Sequence, residues 1–470
     1  MNETCCGTRI MTLLKRIFKI FLIIVGALLA VVLITMVVLL IPQDRDLDRA
    51  ELVHDMQERV DSLSSPGRSE HPFTGGFARE NLTPSYFTAT AGYGNRFGKK
   101  VNSIHDSIYV RCMVIDNGTK KVAIVTADLL LMPPEVAKLL EVELPNIGFT
   151  SANTYLGATH SHSSIGNWSH GAAMTLMYGD YDDALVHFIK DRILGAIRKA
   201  DASKVGASIS SAHIPVADAV RNRISRDNPV DSLLRVIRIV RADSAKLLLL
   251  NFTAHATCIS DGNLILSADY PGRLTQRLEQ DGYSFAMFMA GAVGSHAGKT
   301  KEREWPCVEE MSAKLSTALE GDEKAFGSAT DTTLWMGRVQ LELTEAQFKV
   351  FKTWRLRPFA FNGLLGDYPE YITALRVGNL LLLGTPCDFS GEFYPALDAL
   401  ARDKGLEVMV TSFNGGYIGY VTPQQYYDVD HYETQLMNWY GPGTGEYLMT
   451  CMKMLIDHAA ARQQSGIGTP

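Results

Sequence analysis

The chain has 470 residues, 46% of them hydrophobic and 20% charged, with a formal net charge of −6. That length supports a large core, arranged as one big domain or two ordinary ones. The charge balance leaves no basic footprint, which argues against nucleic acid as a partner.

Ile20 to Ile41 is a charge-free, almost wholly apolar run, long enough to cross a bilayer core about 30 Å thick. Lys15, Arg16 and Lys19 precede it, and Asp44, Asp46 and Asp48 come after it. The positive-inside rule then keeps the N-terminal tail cytoplasmic and exports the chain beyond Pro42. A cleaved signal peptide has a shorter apolar core ending in small residues, whereas this run ends in Leu39-Leu40-Ile41-Pro42. The expected organisation is a cytoplasmic tail over 1–19, a single-pass membrane anchor over 20–42, a stalk or linker over 43–77, and a catalytic domain over 78–470. That domain would lie on the periplasmic or extracellular side. Cys112, Cys258, Cys307, Cys387 and Cys451 lack any C-x-x-C spacing, so they form neither a zinc knuckle nor a dense disulfide framework.

Beyond the stalk, strand and helix patterns alternate. Strands are expected over 107–115, turning at Asn117-Gly118, and over 121–128. Helical spacing covers 133–144 and 181–199. Strands over 232–240 and 245–252 precede a helix over 271–278, a strand over 285–290 and a helix over 308–319. Further strands fall within 333–344 and 371–384, and a helix closes the chain over 445–461. The fold class expected is α/β, or α+β with a mixed sheet, where reactive groups gather at strand ends. Asp128, His160 and His255 all sit at such ends.

The stretch Gly157 to Ser164 reads GATHSHSS. At strand spacing His160 and His162 point the same way, so both imidazoles reach one point, as a metal or hydrolytic centre requires. A pair of loop histidines bonded to hydroxyls is the plainer alternative. His255 comes directly after a buried strand, and Asp388 comes after the apolar run Leu380 to Leu383, where ligand and helix N-cap are competing roles. Asp128 and Asp269 are candidates to orient imidazoles from behind, or to cap helices.

The segments AGYGNR (91–96), ATHSHS (158–163), the His255 strand, FMAGAVG (288–294), GTPCDF (384–389) and GYVTPQQYYDVDHYE (419–433) together resemble the neutral/alkaline non-lysosomal ceramidase family. The resemblance implies a zinc-dependent amidohydrolase that cleaves the N-acyl bond of a ceramide-like lipid by attack of a zinc-bound water. It implies zinc ligands at His160, His255, Asp388 and Tyr420, with His162, Arg223 and Tyr432 as catalytic residues. Three departures stand out: the family has glutamate at Asp388, its active-site serine falls at Ala297, and the chain ends where the family continues into a C-terminal β-sandwich. Two alternatives stand beside the hydrolase: a catalytically silent lipid-binding or scaffolding homologue, and N-acyl transfer in the reverse direction.

Overall fold

Side chains on successive strand residues point to opposite faces, and here both faces are buried. On the strand Lys121–Ala127, Val122 and Ile124 join a core with Met287, Leu382 and Met409, while Ala123 and Val125 join another with Ile189 and Ile193 of the helix Asp183–Ala202. On Lys246–Phe252, Leu247 and Leu249 belong to the first core, and Leu248 and Leu250 pack with Leu274 of the helix Asp269–Gln280 and Leu315 of the helix Trp305–Gly321. On Leu380–Thr385, Leu382 again joins the first core, while Leu381 and Leu383 pack with Leu397 of the helix Tyr394–Asp403 and Leu455 of the helix Thr444–Ala460. The result is two sheets face to face with helices on both outer sides. Each fully buried aliphatic side chain contributes about 1.5–3 kcal/mol. The computed structural model describes residues 3–461 apart from 322, 330 and 367.

The larger sheet runs in the order Phe285–Ala290, Lys246–Phe252, Leu233–Arg241, Val205–Pro215, Thr74–Asn81, Tyr109–Asp116, Lys121–Ala127, Thr154–Ala158, with Gly327–Ser328 paired to Val205–Pro215. The smaller has the order Leu334–Gln340, Tyr371–Val377, Leu380–Thr385, Glu407–Ser412. Within these two sheets three pairs are parallel and the others antiparallel: Lys121–Ala127 with Thr154–Ala158, Lys246–Phe252 with Phe285–Ala290, and Leu380–Thr385 with Glu407–Ser412. A parallel pair needs a crossover, and helices Pro134–Glu143, Asp269–Gln280 and Tyr394–Asp403 supply them. His160, His255 and Asp388 each lie just past the C-terminal end of a strand in one of these units. Asn251 Nδ2 donates to Met289 O at 3.1 Å and Val410 O at 3.0 Å, and Thr126 Oγ1 donates to Phe288 O at 2.9 Å. These bonds tie the three parallel units to one another.

The expected mixed α/β fold is therefore present. Within it, the region 371–384 is a hairpin of two strands, turned at Gly378 with φ 61°. The helix Glu3–Leu39 contains one run, Met11–Leu39, long and apolar enough to cross a membrane. It stops earlier than the apolar sequence does, because Leu40–Pro42 leaves it to pair with Trp354–Leu356. The segment expected as a stalk lies against the domain: helix Ala50–Asp61 buries Met56 and Val60 in the core of the smaller sheet's outer helices, and Thr74–Asn81 is a strand of the larger sheet. An amphipathic helix has an apolar stripe to bury, and this one buries its stripe.

Candidate metal centre

Strand Thr154–Ala158 ends before the histidine pair. His160 adopts φ 62°, a left-handed conformation disfavoured for a residue with a Cβ. The two imidazoles therefore converge through a strained turn, and strand alternation is not what aligns them. Their ring centroids lie 4.6 Å apart, edge to face, and Phe413 stacks on His160 at 4.1 Å. Gly92, with φ 118°, lies so close to His162 that a Cβ there would sit 2.4 Å from its Cα. The buried Arg96 donates to His162 O at 2.7 Å and to Ser260 O and Asn263 O, clamping two loops.

His255 is joined by a parallel bridge to Ala297, and Arg223 N donates to Ser295 O at 2.8 Å. Asp388 and Tyr420 face each other in the short parallel pair Asp388–Phe389 with Tyr420–Val421. These connections bring all four expected ligands to one place. His255 Nε2 is 3.2 Å from Asp388 Oδ1 and 3.0 Å from the Tyr420 hydroxyl, and His160 Nε2 is 3.4 Å from Asp388 Oδ1. His162 Nε2 is 3.0 Å from His160 Nε2, and one donor nitrogen from each of His160, His162 and His255 lies within 4.8 Å of the others. Donors on a tetrahedral zinc with bonds of about 2.0–2.1 Å lie roughly 3.3 Å apart.

The protons settle what the cluster fits. His160 Nδ1 faces Leu130 O at 2.6 Å, and His255 Nδ1 faces Val293 O at 2.8 Å, which assigns a proton to each Nδ1 and a lone pair to each Nε2. Burial and the neighbouring cationic Arg223 push the His255 pKa down to about 4, and burial with its neighbouring histidines takes His162 well below its ordinary value. Burial on its own would raise Asp388, but positive charge or a donated proton at the His160 and His255 Nε2 atoms it faces lowers it, a role a cation at the same place would take over. Its Oδ2 accepts from Tyr417 at 2.8 Å, whereas Oδ1, fully buried, has no hydrogen-bond donor. Lone pairs and an orphaned carboxylate oxygen turned on one another repel unless a cation sits among them. The residues fit a divalent metal ion.

Arg223 Nη1 is 3.2 Å from His255 Nε2. Its Nε meets Glu433 Oε1 at 2.8 Å, and Glu433, wholly buried, is also touched by His431 Nδ1. Tyr432 is 49% exposed, with its ring 5.8 Å from that of Tyr420. Sequence reasoning passed over Glu433, Tyr417 and Phe413; Glu433 closes the GYVTPQQYYDVDHYE segment and was legible there only as part of a motif. A cavity of about 380 Å³ reaches His255 and Ala297, rimmed by Arg221, Thr257, Lys301 and Arg303. A disulfide joins Cys258 to Cys307 at its wall, a bond suited to an exported domain.

Asp128 and Asp269 do not orient the imidazoles. Asp128 Oδ2 accepts from Tyr109 N at 2.9 Å, and Asp269 accepts from Ile259 N and Tyr270 N. Both carboxyls line a separate cavity of about 530 Å³ with Asp106 and Arg111. Burial raises each to about 6. A carboxyl raised from about 3.9 binds its proton more tightly folded than unfolded, so its effect on stability worsens as pH rises from about 4 to 6. Asp128→Asn is accordingly expected to compare more favourably with the parent at pH 7 than at pH 4, by about 3 kcal/mol at most. Urea denaturation of both proteins at the two pH values measures the difference.

Fold and site together define an α/β protein with a candidate mononuclear metal centre at converging strand ends. Residues 74–300 match the family model described as neutral/alkaline non-lysosomal ceramidase, N-terminal. A neutral ceramidase of Pseudomonas aeruginosa is 23% identical over 395 residues, covering 77% of this chain and 56% of that protein. The chain thus spans little more than half the length of that curated relative. The crystal structure of neutral ceramidase from Pseudomonas aeruginosa superposes with a TM-score of 0.71 at 20% identity, over 84% of this chain and 75% of that one. A ceramidase complexed with C2 gives 0.70 at 20% identity, over 83% and 75%. The family likeness is thus carried by residues 74–300, and the solved relatives share the fold of this chain.

Proposed function

We propose that the chain is a membrane-anchored, zinc-dependent amidohydrolase that cleaves the N-acyl amide of a ceramide-like lipid. The observation that carries this reading is the buried convergence of imidazole lone pairs on an orphaned carboxylate oxygen, with a guanidinium alongside. His160, His255, Asp388 and Tyr420 would hold the ion. Asp388 reaches it from a strand end with one methylene less than the family's glutamate. When bound, zinc supplies a Lewis acid and lowers the pKa of water toward ~7.

The chain's own groups do the rest. Arg223, held by Glu433, presents its Nη1 where charge develops on the amide oxygen. His162, kept neutral by burial, is available to take up a proton and pass it to the leaving amine. Tyr432, at the exposed edge of the site, is placed to contact substrate. Ala297, the position expected for the family's serine, sits beside His255, so no nucleophilic hydroxyl is supplied from there. The helix Met11–Leu39 would anchor the enzyme beside its lipid, with the domain on the exported face.

Full-length protein in detergent is expected to hold one zinc per chain and to release fatty acid from an N-acyl sphingoid base. A strong chelator should remove both properties, and added zinc should restore them. Bound zinc with no hydrolysis of any N-acyl lipid would instead favour a silent lipid-binding homologue.

A further inference from the structure

The end of the apolar helix is fastened to the domain. Arg357 N donates to Leu39 O at 2.9 Å, Gln43 N donates to Thr353 O at 2.9 Å, and Pro42 pairs with Trp354. Trp354 in turn pairs with Phe351 across a hairpin tip. Around this junction Val350, Phe351, Trp354 and Phe359 are 40%, 51%, 43% and 61% exposed, although other large apolar side chains of the domain are buried in quantity. Pro42 lies three residues beyond Leu39, which at ~3.3 Å per residue places it about 10 Å from the helix end, with Trp354 beside it on the neighbouring strand. The headgroup zone flanking a bilayer core of about 30 Å is itself roughly 5–7 Å deep on each side. Aromatic side chains concentrate at that depth, where an apolar ring meets water.

The same hairpin supports the candidate site. Lys349, buried beneath it, donates to Tyr427 O at 2.6 Å and Thr434 O at 3.1 Å. From the segment after the anchor, Gln43 Nε2 donates to the Tyr427 hydroxyl at 2.6 Å, and Arg45 pairs with Asp428 at 2.6 Å. The loop so held carries Tyr432 and Glu433, and it exposes Val429.

We propose that Phe351, Trp354 and Phe359 form an interfacial seat in the headgroup layer of the bilayer that the anchor crosses, holding the 427–434 loop against the membrane so that substrate enters from the lipid side. The occupant is the phospholipid surface itself, because the patch is continuous with a helix built to span it. The proposal rests on that helix being inserted, and its test is independent of catalysis.

The full-length chain is placed in nanodiscs of phosphatidylcholine brominated near the top of the acyl chain, and tryptophan fluorescence is read. Trp168, Trp335 and Trp439 are buried and Trp305 is half-buried, stacked on His105 at 3.4 Å, so Trp354, 43% exposed beside the helix end, is the ring best placed to meet bromine. Quenching is expected, and Trp354→Phe should remove about half of it or more. The Phe351→Ser, Phe359→Ser double variant, which leaves Trp354 in place, should shift emission to the red and weaken quenching. Equal quenching in parent and Trp354→Phe, or none in a chain that resists carbonate extraction, overturns the seat while leaving the anchor intact. A cross-link from position 354 to a second copy would assign the patch to self-association and also overturn it. A chain that carbonate strips from membranes overturns anchor and seat together.

Discussion

His255→Ala is expected to leave the purified protein without stoichiometric zinc and without detectable amide hydrolysis. His255 Nε2 faces both Asp388 Oδ1 and the Tyr420 hydroxyl, so its removal opens the centre of the donor set. Groups that act from behind a metal ligand cost about 10–100-fold in affinity or activity when mutated, and loss of a ligand should exceed that range. His160→Ala should behave alike, because His160 Nε2 meets His162 and Asp388. The informative control is His296, another buried histidine, whose Nδ1 meets Ser295 Oγ at 2.8 Å and whose Nε2 accepts from Asp231 N at 2.9 Å. Its hydrogen bonds are satisfied and it faces no other imidazole. His296→Ala should therefore lower stability by about 1–3 kcal/mol, the cost of unpairing buried partners, while retaining zinc. Metal analysis by mass spectrometry alongside thermal denaturation separates the two behaviours. Zinc retained in His255→Ala would remove the centre from the proposed site.

The contrast between these histidines shows what the linear sequence conveys. His255 and Asp388 are legible because each comes after a run of apolar residues that reads as a buried strand, and His160 because a short strand-like stretch leads into a histidine pair; strand ends are where reactive groups collect. The way His160 and His162 meet was not legible, since a φ of 62° at His160 is set by packing against Phe413 and the Gly92 loop. Nor does spacing reveal that Asp388 and Tyr420 are register partners, or that Arg223 finds its counter-ion at Glu433. Those pairings depend on chain crossings that no local period encodes. The strand Val205–Pro215 escaped for a simpler reason: its residues VGASISSAHIP are mostly small or polar, so its alternation is weak, and its place in the sheet comes from nine register pairs with Leu233–Arg241. The amphipathic helix Ala50–Asp61 had the opposite fate, being readable as a helix yet not as part of the core.

The pairing of Arg223 with Glu433 leads to the second large effect. Glu433→Gln is expected to lower kcat by about 10–100-fold, with a smaller change in KM. The carboxylate touches no part of the metal cluster. Its Oε1 holds Arg223 Nε at 2.8 Å, which fixes the planar guanidinium so that Nη1 stays 3.2 Å from His255 Nε2. A carboxamide of the same shape loses the charge that keeps the fork in place. It would also leave a partly buried cation beside the candidate metal site, so the side chain should swing toward solvent. If Glu433 works through Arg223, the two substitutions cannot be additive. Arg223→Ala should cost about 10²–10³-fold in kcat, as expected for loss of a group that stabilises the developing oxyanion, and adding Glu433→Gln to it should change kcat little further. Glu433→Asp, which keeps the charge on a shorter arm, should recover part of the loss seen with glutamine. Zinc content should be normal in all of these proteins, because neither residue supplies a donor to the cluster. Multiplying losses in the double variant would mean that Glu433 acts on the fold and Arg223 on the substrate, independently of one another.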